Sequence, residues 1–189
     1  MHEFVKKGLL VSLATGVLLL GGAGFAAADT ATVNGSTAGN EGFVAGNVAQ
    51  VAGNNPINVC GDTADLGTAY NRANANSCAS SGNLAGINGA SSHSSGAITG
   101  NVIGAAVDTP VQVCGVAAEV ASVHSGAVGN TCADTGTSAT AYGSANDDSG
   151  LLTGNVIQLS EHAPISVCGD SVGILGFESG AIGNSCSNS

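Results

Sequence analysis

Six cysteines carry the clearest chemistry in this 189-residue chain, and their spacing is regular. Cys60, Cys114 and Cys168 are evenly spaced, and Cys78, Cys132 and Cys186 recur at the same period. Thiols so placed can close disulfides in an oxidising compartment or bind a soft metal such as zinc. No C-x-x-C occurs, and His93, His124 and His162 do not recur at the cysteine period, so no metal and no cofactor is expected. Sequence alone leaves every cysteine pairing open. Pairing within a unit would keep the three units equivalent.

Other residue types give little sign of catalysis. None of His93, His124 and His162 has an evident Ser or Asp partner for a triad. Asp147-Asp148 has no counterpart in the other copies and reads as a solvated pair. No phosphate-binding or dinucleotide fingerprint is present, and no EF-type loop or calcium-binding nonapeptide repeat. No catalytic residue is expected.

The elements that position the cysteines repeat with them. Pro56, Pro110 and Pro164 are the only prolines and keep the cysteine period, and a fixed period in rare residues marks a repeat protein. After each proline comes a strictly alternating run, as in Val111-Gln112-Val113-Cys114 and Ile165-Ser166-Val167-Cys168. Alternation of this kind predicts a strand with β-branched residues on one face and the polar residue and cysteine on the other. Gly61, Gly115 and Gly169 break it. A second apolar stretch follows, clearest at Val172, Ile174, Leu175 and Phe177, before Asn-x-Cys closes the unit.

The expected fold is all-β: three small disulfide-closed, hairpin-like repeats joined by flexible linkers, able to stack cross-β on assembly. The repeats span 42–78, 96–132 and 150–189. The linkers span 79–95 and 133–149, and their Ser, Gly, Ala, Asn and Thr composition predicts coil that tethers units as beads on a string. A polar lead-in at 29–41 reads as disordered. The first repeat is degenerate, with Ala75-Asn76-Ser77-Cys78 at its end and a polar stretch at 68–74 that could pass as a short helix.

Positions 1–28 read as a secretory leader: Lys6 and Lys7, an apolar run from Leu9 to Leu20, then Ala26-Ala27-Ala28 as a cleavage site. The run is short for a membrane span, so none is expected after cleavage. Removing Glu3, Lys6 and Lys7 from 13 acidic and three basic residues leaves 12 acidic residues and Arg72. Such a chain has no basic patch for phosphates, so nucleic acid is excluded as a partner.

Gly-Asn-Val, Pro-Val-x-Val-Cys-Gly and Gly-Asn-x-Cys, at one spacing behind a leader, resemble the chaplin domain of filamentous actinomycetes. The likeness covers all three repeats and is fullest in the second and third. It implies a secreted, β-rich, surface-active protein. By that likeness the chain self-associates, and associates with other chaplin-like proteins, as amyloid-like fibrils at an air–water interface or cell wall, coating aerial hyphae and spores. The residues it assigns are the six cysteines and the assembly strands at Val111, Val113, Ile165, Val167, Val172, Ile174, Leu175 and Phe177. Long chaplins carry a sortase signal. None follows Cys186 here, so non-covalent attachment at the cell surface is expected. Asp62, Asp65, Glu119, Glu161 and Asp170 fall inside the repeats, and cross-β stacking would bring charge beside charge. Acidification toward the sequence pI near 4.3 should therefore favour assembly. The alternative reading is a soluble adhesion module that uses three tethered copies for avidity.

Overall fold

The computed structural model describes residues 9–15, 30–67, 69–178 and 180–188. The leader expected at 1–28 lies outside the described residues apart from one strand, β1 (Leu9–Thr15). The remaining strands form three rungs of one solenoid. Rung 1 holds β2 (Thr30–Ala38), β3 (Val44–Ala45), β4 (Asn47–Asn54), β5 (Ile57–Cys60), β6 (Thr63–Leu66), β7 (Arg72–Asn74) and β8 (Ser77–Ser81). Rung 2 repeats them as β9 (Leu84–Ser92), β10 (Ser95–Thr99), β11 (Val102–Asp108), β12 (Val111–Cys114), β13 (Ala117–Val120), β14 (Gly126–Val128) and β15 (Thr131–Thr135). Rung 3 holds β16 (Ser138–Asn146), β17 (Ser149–Thr153), β18 (Val156–His162), β19 (Ile165–Cys168), β20 (Ser171–Ile174), β21 (Gly180–Ile182) and β22 (Ser185–Asn188).

Every ladder between rungs is parallel and pairs a residue with its counterpart one period on: Val111 with Ile165, Cys114 with Cys168, Val102 with Val156. Among the described residues seven narrow sheets result, one per strand position, each crossing all three rungs. One sheet has a fourth member, because β1 lies along β4 with Leu9 opposite Asn47. Hydrogen bonding thus runs between copies, while the disulfides act within a copy. In each rung the bridge ties the strand after the proline to the strand that ends the unit, which makes the hairpin-like return.

The all-β class and the three disulfide-closed units match the sequence reading. The connecting segments do not. Residues 79–95 and 133–149, expected as slack chain, contain β9, the start of β10, and β16. The lead-in 29–41, expected as disordered, contains β2. Together β2, β9 and β16 form a continuous sheet that packs on the β4–β11–β18 sheet. Between them lies the apolar core: Ala31, Val33, Ala52, Ala85, Ile87 and Ala106, all buried. Small residues here are a packing requirement. The Cδ1 of Ile87 fills the space that a Cβ on Gly104 would need, so a side chain at that point would push Ile87 out of its place. The composition of a linker and that of a closely stacked small-residue core look alike in sequence, and parallel in-register pairing decides between them.

The polar stretch near position 70 that could pass as a helix holds no helix among its described residues. Ala69 bridges to Val123, and β7 pairs with β14. No helix among the described residues is long and apolar enough to cross a membrane.

Candidate functional site: an inverted wall of apolar ladders

The strand after each proline alternates as the sequence requires, but its polar face turns inward. Asn58, Cys60, Gln112 and Cys114 are buried, whereas Ile57 and Val59 stand 46% and 64% exposed. The cysteines determine this orientation. Bridges Cys60–Cys78, Cys114–Cys132 and Cys168–Cys186 cross the interior with Cα–Cα separations of 6.1–6.2 Å and stack into one sulfur cluster. An inward cysteine with period-two alternation leaves the β-branched residues no place but outside. Three of these cysteines approach closely enough to suggest a metal site, but all are disulfide-bonded and the described residues hold no free cysteine.

The next strand is inverted as well. Asp65 and Glu119 face inward in register and are buried, while Leu66, Val120, Val172 and Ile174 are exposed. Asn71 donates to Asp65, and the Ser122 hydroxyl donates to Glu119 at 3.0 Å. On the apolar-core side, Ile103, Ile157 and Leu159 also point out and are more than half exposed. The outer surface of three adjacent sheets is therefore a set of vertical apolar ladders. The β2–β9–β16 wall differs: its outward positions include Thr30, Thr32, Asn34, Ser36, Asn88, Thr140, Tyr142 and Ser144.

The expected assembly residues fall on this surface. Ile165, Val167, Val172 and Ile174 are exposed, and Val111 and Val113 stand in the same outer ladders, partly covered by their neighbours. Leu175 and Phe177 are exposed at a turn, where Phe177 bridges to Val123.

Asparagine ladders, for which the sequence shows only the recurring Gly-Asn-Val and Asn-x-Cys motifs, hold the corners. Asn47 Oδ1 accepts both the backbone N–H and the side-chain Nδ2 of Asn101, at 3.0 and 2.8 Å. Asn101 Oδ1 does the same for Asn155, at 3.1 and 2.8 Å. A second ladder runs the other way: the Asn76 N–H donates up to Asn130 Oδ1 at 2.9 Å, and the Asn130 N–H to Asn184 Oδ1 at 2.8 Å. Asn130 Nδ2 also donates to the carbonyls of Gly61 and Ala73, both at 3.1 Å. That contact explains the glycine after Cys60 and, through the equivalent Asn184 carboxamide, the one after Cys114. A Cβ at Gly61 would run into the Asn130 carboxamide, and the backbone there turns at φ 70°.

The histidines also acquire partners invisible to a search for recurring histidine. Each faces a carboxylate one period away, across the junction of rungs 2 and 3: His93 with Asp147 at 3.5 Å, His124 with Glu178, and His162 with Asp108 at 2.9 Å. The signal in the sequence is histidine and acid at one period. Asp108 is fully buried and also accepts from Asn54 at 3.0 Å. Burial pushes its carboxyl up, against the hydrogen bond and charge of His162. Burial likewise raises Asp134, which Asn83 Nδ2 bonds at 2.9 Å, and Asp62, whose Oδ1 accepts the Val116 N–H at 2.6 Å. His162 Nε2 lies 3.2 Å from the Thr137 hydroxyl, so Asp108, His162 and Thr137 form one hydrogen-bonded chain, a connection the sequence reading does not find.

These features define a disulfide-braced, asparagine-laddered parallel β-solenoid with a polar back and an apolar front. The ChpA-C family model matches residues 23–80, 79–134 and 133–188 in tandem, nearly the whole chain, and its divisions fall at the rung boundaries. The chain belongs to the chaplin family and carries three chaplin-like domains. It is similar to Chaplin-B of Streptomyces coelicolor, 34% identical over 128 residues, which are 55% of this chain and 54% of that one. It also resembles Chaplin-G, 35% identical over 77 residues (41% of this chain, 81% of the relative), and Chaplin-D, 46% identical over 48 residues (25% and 64%), both of the same organism. The match spans about half the length of Chaplin-B. No solved structure matches the chain.

Proposed function

We propose that this protein is a secreted structural surfactant that self-assembles, amyloid-like, into a hydrophobic layer at the cell surface of the kind that supports aerial hyphae and spores. The observation that carries the reading is the outward apolar ladder set, with Val59, Leu66, Val167, Val172 and Ile174 exposed on a braced backbone. Contiguous exposed apolar surface on a soluble chain marks an interaction face. Here it is opposed by a polar wall, so adsorption at an air–water boundary would orient the molecule. The in-register rungs with asparagine ladders repeat, inside one chain, the pairing that stabilises cross-β stacks.

The role is structural, with no catalytic step. Its place is the cell surface, and its partners are further copies, other chaplin-like chains, and the interface or wall. The alternative of tethered copies acting by avidity loses its basis, since 79–95 and 133–149 carry strands in place of slack chain. Pendant-drop tensiometry on the oxidised secreted chain tests the reading. Interfacial tension should fall and the adsorbed film should resist compression; unchanged tension at micromolar protein would contradict it.

A further inference from the structure

The two ends of the solenoid are not alike, and the upper one is built as a continuation. In rung 2 the inward positions are covered from both sides: Val102 is 1% exposed and Ala106 fully buried. Their rung 3 equivalents are open, with Val156 at 42% and Ser160 exposed. Backbone donors repeat in the same way. Val48 N–H bonds to the Asn101 carbonyl and Val102 N–H to the Asn155 carbonyl, both at 2.8 Å. By the same geometry the Val156 N–H aims off the end of rung 3. The two asparagine ladders add polarity, because they run in opposite senses. The first presents an Oδ1 acceptor on its upper side, at Asn155, and the second presents a backbone donor, at Asn184. The lower side of rung 1 offers the complements: the Asn47 N–H for the first ladder and the Asn76 Oδ1 for the second.

We propose that the rung 3 end docks rung 1 of a second copy, head to tail, with each rung 3 residue in register with its rung 1 counterpart. This rests on the assembly reading above and adds its geometry. The junction reproduces the rung 2–rung 3 contact already present in the chain: Asn155 meets Asn47, Asn184 meets Asn76, and the Cys168–Cys186 bridge stacks on Cys60–Cys78. Like ends laid residue on residue cannot dock so, since donor would meet donor and acceptor would meet acceptor in both ladders. A contact between unlike ends that closes no ring propagates as a fibre. One register pair opposes docking at neutral pH, because Asp170 falls on Asp62 of the next copy. Within the chain β1 takes the place the docking strand would fill, with Leu13 in register with Val51. The junction therefore becomes available once the leader is removed.

The test uses two single variants, Val51→Cys and Leu159→Cys, as secreted by a host that processes the leader. Both positions are exposed and outward-facing, and these counterparts would sit about 4.8 Å apart across the junction, within disulfide reach. The variants are mixed, allowed to assemble, mildly oxidised and mapped by mass spectrometry. Head-to-tail docking gives a Val51→Cys/Leu159→Cys heterodimer at many-fold excess over either homodimer. Homodimers in excess, as copy-on-copy stacking would give, overturn the proposal. So does an assembled but uncross-linked mixture. A further variant, Val156→Pro, removes a donor at the free end and no bond between rungs 2 and 3. It should slow seeded fibre growth at least tenfold while interfacial tension still falls. Loss of tension lowering in the unmodified chain would instead remove the surfactant reading, so the two failures are distinguishable.

Discussion

Two walls of this solenoid solve the same problem in opposite ways. The β2–β9–β16 wall puts Ala31, Val33, Ala85 and Ile87 inside and leaves hydroxyls and amides outside. The β5–β12–β19 wall puts cysteine, asparagine and glutamine inside and leaves valine and isoleucine outside. The first wall is stabilised by removing apolar surface from water. The second forgoes that term and is held by bridges and interstrand hydrogen bonds, which frees its apolar side chains for another surface. Under the proposed function, stability and surface activity are thereby assigned to different walls.

If that division is right, substitutions should separate the two properties. Ile87→Ala, in the first wall, should cost about 3–4 kcal/mol in chemical denaturation, from lost transfer energy and an unfilled cavity beside Gly104. The outward Val59→Ser should cost under about 0.5 kcal/mol yet reduce tension lowering. Equal losses at the two sites would break the comparison.

Removing the central bridge with Cys114→Ser and Cys132→Ser should cost about 3 kcal/mol, the entropy of an unclosed loop between cysteines at a sequence separation of 18. Asn130→Ala should cost about 2 kcal/mol, because the Asn76 N–H and the carbonyls of Gly61 and Ala73 lose their partner in a buried corner. Ala75→Gly should raise the denaturation midpoint, by about 1 kcal/mol of relieved left-handed backbone strain. Ala75 holds φ 51° where rungs 2 and 3 have Gly129 and Gly183 at 66°.

The smallest effect is a pH slope. Burial raises the carboxyls of Asp62, Asp108 and Asp134 above their unfolded values, so the folded chain holds its protons more tightly than the unfolded one. Their stabilising contribution is fully present below the unfolded carboxylate range and is lost as pH rises through the folded values. Thermal melts should accordingly shift upward on acidification from neutral pH, and Asp108→Asn should flatten that rise. A melting temperature that falls from pH 7 to pH 5 would contradict the sign.

Much of this is legible in the sequence because the repeat constrains it. Proline and cysteine at one period locate the units, and alternation at Val111–Cys114 separates the two faces of its strand correctly. What alternation cannot state is which face is inside, since apolar-in is the usual rule and cysteine-in reverses it. The segments 79–95 and 133–149 mislead for a different reason. Their Ala, Gly and Ser are the composition of a linker, yet stacking on the neighbouring copy turns the same small side chains into a close-packed core. The asparagine ladders and the histidine–acid pairs share that origin: each is a contact between copies, set by the period and not by neighbours in the chain.

On the proposed function, the outward ladder of the inverted wall, not the bulk composition, drives adsorption. Pendant-drop tension of Val113→Ser/Ile165→Ser/Val167→Ser should be compared with Thr140→Ala/Ser144→Ala on the polar wall, with melting temperatures matched. The first should lose most of the tension lowering while the second keeps it; equal lowering by both would contradict the account.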